Sequence, residues 1–258
     1  MSSTPLRKLY RSIGKTTAQD KKTCSDLLKG LKGTAASSLA SMFRESLEIN
    51  SHFDGTTQPF LNAASLRART KLTSGSRGDN RIAYFLSTKG EVRVTGGPRG
   101  YSFHYVGRQV PPFRQERAGA PRSGAGGIDY TAVAGETPVL GEIKRSGDHN
   151  AFYAFIQLLT YLSEMATPNQ VARATQHKEF GVALEYPQPF DLHILLTDLN
   201  PRSGTLELIN RTQDLADAFR KGLGKAEKGV LGKVLCLQME SAHFASEDTP
   251  TLRCDWVM

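Results

Sequence analysis

Two short apolar runs separated by a glycine turn constrain this chain more than any other feature. Gly126-Gly-Ile-Asp-Tyr-Thr-Ala-Val133 and Thr137-Pro-Val-Leu-Gly-Glu-Ile-Lys-Arg145 read as paired strands. The first carries a lone carboxylate, Asp129, and the second carries Glu142 and Lys144. Because side chains alternate faces along a strand, Glu142 and Lys144 share one face while Ile143 points the other way, into a core. Three charged groups thereby meet at one spot on an otherwise apolar hairpin.

Charges lifted out of water must be paired or must bind a metal. A hard divalent cation suits two carboxylates, because Mg²⁺ takes oxygen ligands, keeps several waters and needs few groups from the protein. Mn²⁺ is the expected substitute, and metal-assisted hydrolysis is the chemistry this pattern points to. The segment that follows, His149–Ala166, has a strong helical pattern. Phe152, Phe155, Ile156, Leu159 and Leu162 form its apolar stripe, and Tyr153, Gln157 and Tyr161, each four residues apart, form a second line on a neighbouring face.

Asp129, twelve intervening residues, then Glu142-Ile143-Lys144, followed by Gln157-x-x-x-Tyr161 on a helix, resembles the PD-(D/E)xK nuclease superfamily. The helix motif is similar to that of its RecB-like branches, while Ile128 stands where the signature has proline. The resemblance implies an α/β fold: three layers, restriction-endonuclease-like, with a mixed central β-sheet flanked by helices. It implies Asp129, Glu142, Lys144 and Gln157 as catalytic residues, with the metal held by Asp129, Glu142 and the backbone carbonyl of Ile143. A further glutamate from the helix before the sheet is expected at the metal, Glu48 ahead of Glu45 because Leu47 and Ile49 suggest a covered side. Lys144 would orient the attacking water and offset charge on the phosphate rather than act as a base. Gln157 would hold a metal-bound water or a phosphate oxygen.

The chain has 258 residues, 39% hydrophobic and 22% charged, enough for one sizeable core. The expected organisation is a basic arm over 1–33, a nuclease-like domain over 34–240 and a tail over 241–258. A net charge of +8 favours a polyanionic partner, nucleic acid and DNA before RNA. Cys24, Cys236 and Cys254 are odd in number and widely spaced, which indicates neither a disulfide framework nor a zinc ribbon. With no signal-type or membrane-spanning apolar run, the expected location is cytoplasmic, without a membrane partner. Cutting both strands of a duplex would call for a homodimer, for which the sequence carries no signature.

In chain order, helices are expected over 17–31 and 37–50, and a long loop over 52–80 with a short helix near 62–70. Gly14-Lys15-Thr16 echoes a phosphate loop but lacks its upstream glycine and strand. Strands are expected at 81–86, 91–94 and 101–106. Arg99, Arg108, Arg114, Arg117 and Arg122, interleaved with Tyr101, Tyr105 and Phe113, form the expected nucleic-acid surface, to which Tyr161 is added. Farther on come a short helix after Pro168, strands at 180–185 and 191–197, a helix over 211–222 and a strand over 230–238. The histidines show no metal-ligand spacing, and only His149 lies near the hairpin in sequence. The combined expectation is a Mg²⁺-dependent nuclease hydrolysing phosphodiester bonds. The alternative is a non-catalytic nucleic-acid-binding or assembly module, which would have no need of an uncompensated acid pair.

Overall fold

The hairpin forms as its sequence dictates. In the computed structural model β3 (Ile128–Ala134) and β4 (Thr137–Lys144) pair antiparallel from Tyr130↔Gly141 to Ala134↔Thr137. The two-residue loop between them places Gly135 at φ 60°, a backbone conformation that suits a tight hairpin and that a side chain would resist. The structure describes residues 4–15, 26, 29, 34–53, 79–88, 90–110, 112, 127–145, 149–176, 178, 180–199, 203–239 and 251–258.

The other strands are β1 (Glu91–Thr95), β2 (Ser102–Val110), β5 (Phe190–Thr197), β6 (Leu231–Met239) and β7 (Thr251–Val257). Among the described residues these seven strands close into a barrel, neighbouring one another in chain order. Pairing is antiparallel from β1 to β4, parallel from β4 through β5 to β6, and antiparallel between β6 and β7. The ring is completed by a parallel pairing of β7 with β1, Arg93↔Thr251 to Thr95↔Arg253.

This closure corrects the expected fold. An open, three-layer restriction-endonuclease-like sheet would leave two edges, whereas here β7 hydrogen-bonds to β6 on one side and β1 on the other, so that no edge remains among these strands. The segment read as a C-terminal tail supplies that seventh strand, with Leu252 and Cys254 turned to one core and Trp256 to the other. The register shift that pairs Leu237 with Cys254 but Cys236 with Trp256 accounts for the change of face.

Helices α1 (Pro5–Lys15), α2 (Thr34–Phe53), α4 (Ala151–Met165) and α6 (Ser203–Gly222) cover the outer face. Their Leu6, Ile13, Phe43, Phe155 and Phe219 pack with Leu140, Leu192, Ile194 and Val234 of the strands. The inner face forms a second cluster from Val92, Phe103, Tyr130, Val139, Ile143, Leu195, Leu235 and Leu252. Strand β5 is buried on both faces along its whole length, with Leu192 and Ile194 turned to the outer cluster and His193 and Leu195 to the inner side.

Helix α3 (Asp79–Thr88) lies where a strand was expected at 81–86. A six-residue apolar run does not distinguish the two periods, and here Ile82, Phe85 and Leu86, at helical spacing, join the inner cluster. The run at 180–185 also departs from expectation: it forms no strand, since only Phe180 and Leu184 of it are driven inward, Phe180 against Phe190, and positive φ at Lys178 and Gly181 bends the chain. Helix α5 (Pro168–Gln176) and a one-turn helix, α7 (Lys225–Lys228), complete the described elements. The expected helix at 62–70 falls outside the described residues, as does 17–31 apart from Asp26 and Lys29.

Candidate active site

The site lies on the outer face of the barrel, where β3 and β4 meet α4. Continuing the β3–β4 register by one rung sets Asp129 against Glu142, so the two acids share a face with Lys144. Asp129 Oδ2 accepts a hydrogen bond from the backbone N–H of Ile143 at 2.9 Å, which ties the first acid to the second strand. N–H and C=O of one strand residue leave on the same edge, so the Ile143 carbonyl is turned toward β3 as well.

Lys144 organises the rest. Its Nζ donates to Glu142 Oε1 at 2.8 Å and to Gln157 Oε1 at 3.3 Å. Gln157 Nε2 in turn donates to the Tyr161 hydroxyl at 2.6 Å, and that hydroxyl donates to the Gly127 carbonyl at 3.1 Å, just ahead of Asp129. The Gln-x-x-x-Tyr spacing thus does a definite job, because residues four apart on a helix sit one above the other. One turn of α4 bridges the lysine of β4 to the start of β3. The helix is aimed by its cap, Asn150, whose side chain accepts from the Tyr153 N–H at 2.8 Å.

The cluster is covered. Glu142, Lys144, Gln157 and Tyr161 are 3%, 6%, 7% and 1% exposed, while Asp129 is half-buried. Helix α1 supplies part of the cover: the Tyr10 ring stacks on Tyr153 at 5.2 Å and 17°, and Lys144 Nζ sits 4.7 Å from the centroid of Tyr153. Burial and then a hydrogen bond to Tyr153 raise the Tyr10 phenol above its usual range; the charge of Glu142 adds to the rise and Lys144 opposes it. Tyr161 is raised by burial and then by the Glu142 charge, against its bond from Gln157.

Asp129, Glu142, Lys144, Gln157 and Tyr161 therefore come together. Other expected residues do not join them. Glu48 and Glu45 are exposed on α2, and among the described residues no three His, Cys, Asp or Glu side chains gather in a group able to hold a metal, so neither glutamate completes an acid triad. Tyr161 faces inward and does not lie on the nucleic-acid surface expected of it. Arg99 is exposed in the turn after β1 and Arg108 is half-buried on β2; Arg114, Arg117 and Arg122 fall outside the described residues. His149 is buried, with Nε2 2.7 Å from the Thr197 carbonyl.

Sequence reasoning missed a second polar cluster, on the inner face of the barrel, where Tyr130 of β3 meets Asp191 and His193 of β5 and Tyr101 just ahead of β2. The Tyr101 hydroxyl donates to Asp191 Oδ2 at 2.8 Å and lies 2.8 Å from His193 Nε2, while the Tyr130 hydroxyl lies 3.1 Å from His193 Nδ1. With the Tyr101 proton given to Asp191, His193 must carry its own proton on Nε2 and accept from Tyr130 at Nδ1. Burial lowers the His193 imidazole to about 3 and raises the Asp191 carboxyl despite its bonds from the Lys233 N–H and Tyr101. The available signal was the polar pair Asp191 and His193, two apart in an apolar strand; nothing nearby in sequence announced Tyr101 as their partner.

Fold and site together define a helix-flanked closed β-barrel with an acid, acid and lysine cluster on its outer face. Comparison with protein-family models, with curated proteins and with solved structures finds no match in any of the three. Among the described residues no helix is long and apolar enough to cross a membrane.

Proposed function

We propose that the chain is a Mg²⁺-dependent phosphodiester hydrolase acting on nucleic acid, DNA before RNA, with its site on the β3–β4 hairpin. The observation that carries this reading is the convergence of Asp129, Glu142 and Lys144 on one face, with Gln157 bonded to the lysine from an adjoining helix. The donor set fits the cation: two carboxylates and a nearby carbonyl are all hard oxygens, and Mg²⁺ is held by one or two carboxylates with water completing its shell. Asp129, Glu142 and the Ile143 carbonyl would hold it. When bound, it would lower the pKa of an attacking water and offset charge building on the phosphate.

The protein's own groups do the positioning. Lys144 brings a cation to the side of Glu142, where it can offset the same developing charge, and Gln157 fixes the direction of the ammonium. The Ile143 N–H holds Asp129 in place. A basic chain, net +8, would draw the polyanion in.

One observation favours the second reading, a non-catalytic nucleic-acid-binding or assembly module. Glu142 and Lys144 already pair at 2.8 Å and both are largely covered, so they could serve only to lock α4 to the hairpin. Incubation with supercoiled plasmid and with single-stranded DNA, in Mg²⁺, Mn²⁺ or EDTA, separates the two. The expected result is cleavage with metal, none with EDTA, and a loss of about 10²–10³-fold in Lys144→Ala and more in Glu142→Ala. Asp129→Asn, isosteric and only half-buried, should lose activity while unfolding near the wild-type temperature. DNA binding without cleavage or measurable heat of Mg²⁺ binding would overturn the hydrolase and leave the module.

A further inference from the structure

Tyr153 is an aromatic surface beside the proposed hydrolytic centre, and two features of its surroundings point to a ligand. Its ring is approached by Lys144 Nζ at 4.7 Å, so the cation that would face a phosphate also faces this ring. It is stacked by another flat ring, Tyr10, nearly parallel at 17° and 5.2 Å away. Both tyrosines are half-buried, at the rim of the cluster rather than within it.

Resting on the hydrolase reading, we infer that Tyr153 is a stacking subsite for an unpaired nucleobase, closed in this structure by the Tyr10 ring, and that the substrate is accordingly a single strand. A nucleotide carries a phosphate and a flat base a few bonds apart, which matches a lysine and an aromatic ring set side by side. In a duplex the base faces are taken up by their own stack, and only an unpaired base can lie on a protein ring. Tyr10 lies against Tyr153 as such a base would.

The opening motion follows from how α1 is held. Leu6 and Ile13, at the two ends of the helix, are fully buried in the outer core, the Leu6 N–H donates to Ser46 Oγ at 3.2 Å, and Arg7 lies 3.6 Å from Glu164. Departure of the whole helix would expose all of these groups. A swing of the Tyr10 side chain gives up the stack, the bond to Tyr153 and the ring's packing at the edge of the outer core, less than departure of the helix would, so Tyr10 moves while α1 stays docked.

Binding of fluorescein-labelled oligonucleotides with Ca²⁺ replacing Mg²⁺ tests this, using a single strand and the duplex of the same sequence. Tyr153→Leu, which keeps apolar packing but removes the ring, should weaken single-strand binding about 5- to 150-fold, with little change for duplex. Tyr153→Phe should bind as wild type does. Tyr10→Ala removes the competing ring and should tighten single-strand binding about 2- to 10-fold. Equal effects of Tyr153→Leu on both forms, or none on either, would overturn the subsite, as would weaker single-strand binding by Tyr10→Ala. Metal-dependent cleavage of the same strands by wild type and Glu142→Ala keeps the two readings apart. Cleavage without a Tyr153 effect sinks the subsite alone, and absence of cleavage on every form sinks the hydrolase and this inference with it.

Discussion

The barrel wall holds two polar clusters, one on the outer face of β3 and β4 and one on the inner face of β3 and β5 with Tyr101 just ahead of β2, and they are built differently. Outside, Asp129, Glu142 and Lys144 are ionisable groups of opposite sign, held by one another, by the Ile143 N–H and by one helix side chain, Gln157. Inside, Tyr130, His193, Tyr101 and Asp191 form a chain of hydrogen bonds whose central ring is kept neutral by burial. The inner chain is closed by its own members together with the Lys233 N–H, which donates to Asp191 Oδ1. The outer cluster sets two carboxylates against one lysine and adjoins half-buried aromatic rings. Burial alone therefore does not tell the two apart, since both hold a buried carboxyl; what differs is that Glu142 is paired with a lysine ammonium whereas Asp191 is held by a phenol and a backbone N–H.

The largest consequence of that difference falls on Lys144. Replacing it with methionine leaves the Glu142 carboxylate covered and without its cation, a change that costs about 3–5 kcal/mol for a buried pair. Urea unfolding of Lys144→Met, Glu142→Gln and the double variant should show the double variant well short of the sum of the singles. A loss under about 1 kcal/mol for Lys144→Met would mean that water reaches the pair, and the contrast between the faces would disappear.

How far these clusters could be read from sequence depends on how locally each is encoded. The hairpin and the Gln157–Tyr161 turn are set by periods of two and four residues, and Asp129, Glu142, Lys144 and Gln157 meet as expected. Closure of the sheet was not legible, because the pairing of Arg93 with Thr251 joins segments far apart in the chain and no local pattern names the partner of a strand. Glu48 misled for a geometric reason: its neighbours Leu47 and Ile49 point about 100° to either side on a helix, so their burial says nothing of the face between them. Tyr101 and His193 were each visible as residues of strands, yet the bond between them spans most of a hundred positions.

A smaller effect is expected from Gly141, the inward-facing neighbour of Glu142 on β4. A methyl group there would lie 2.1 Å from ring carbons of Tyr130, itself fully buried with its hydroxyl at His193. The ring has nowhere to withdraw, so Gly141→Ala should cost about 1–3 kcal/mol by overpacking. Adding Tyr130→Leu should recover part of that loss. Because the methyl points inward, cleavage per folded molecule should stay near wild type, whereas a large drop in it would show that the inner cluster also serves the outer chemistry.

The smallest expected effect, taken per pH unit, tests the neutrality of the inner face. His193 titrates near 6.5 when unfolded and about 3 when folded, so between these values the unfolded chain binds the proton and the native one does not. Stability contributed by the neutral ring is thus complete above pH 6.5 and falls with pH by up to about 1.4 kcal/mol per unit until about pH 3. Asp191 works in the opposite sense, since burial raises its folded value and the native state takes up a proton first as pH falls. The difference between wild type and His193→Gln, measured by urea unfolding at pH 7.5, 6 and 5, removes most of the Asp191 contribution. The advantage of wild type over the variant should shrink toward acid. A constant difference would mean that the native ring accepts a proton as readily as the unfolded one, which runs against a fully buried Tyr130–His193–Tyr101 chain with both ring nitrogens engaged.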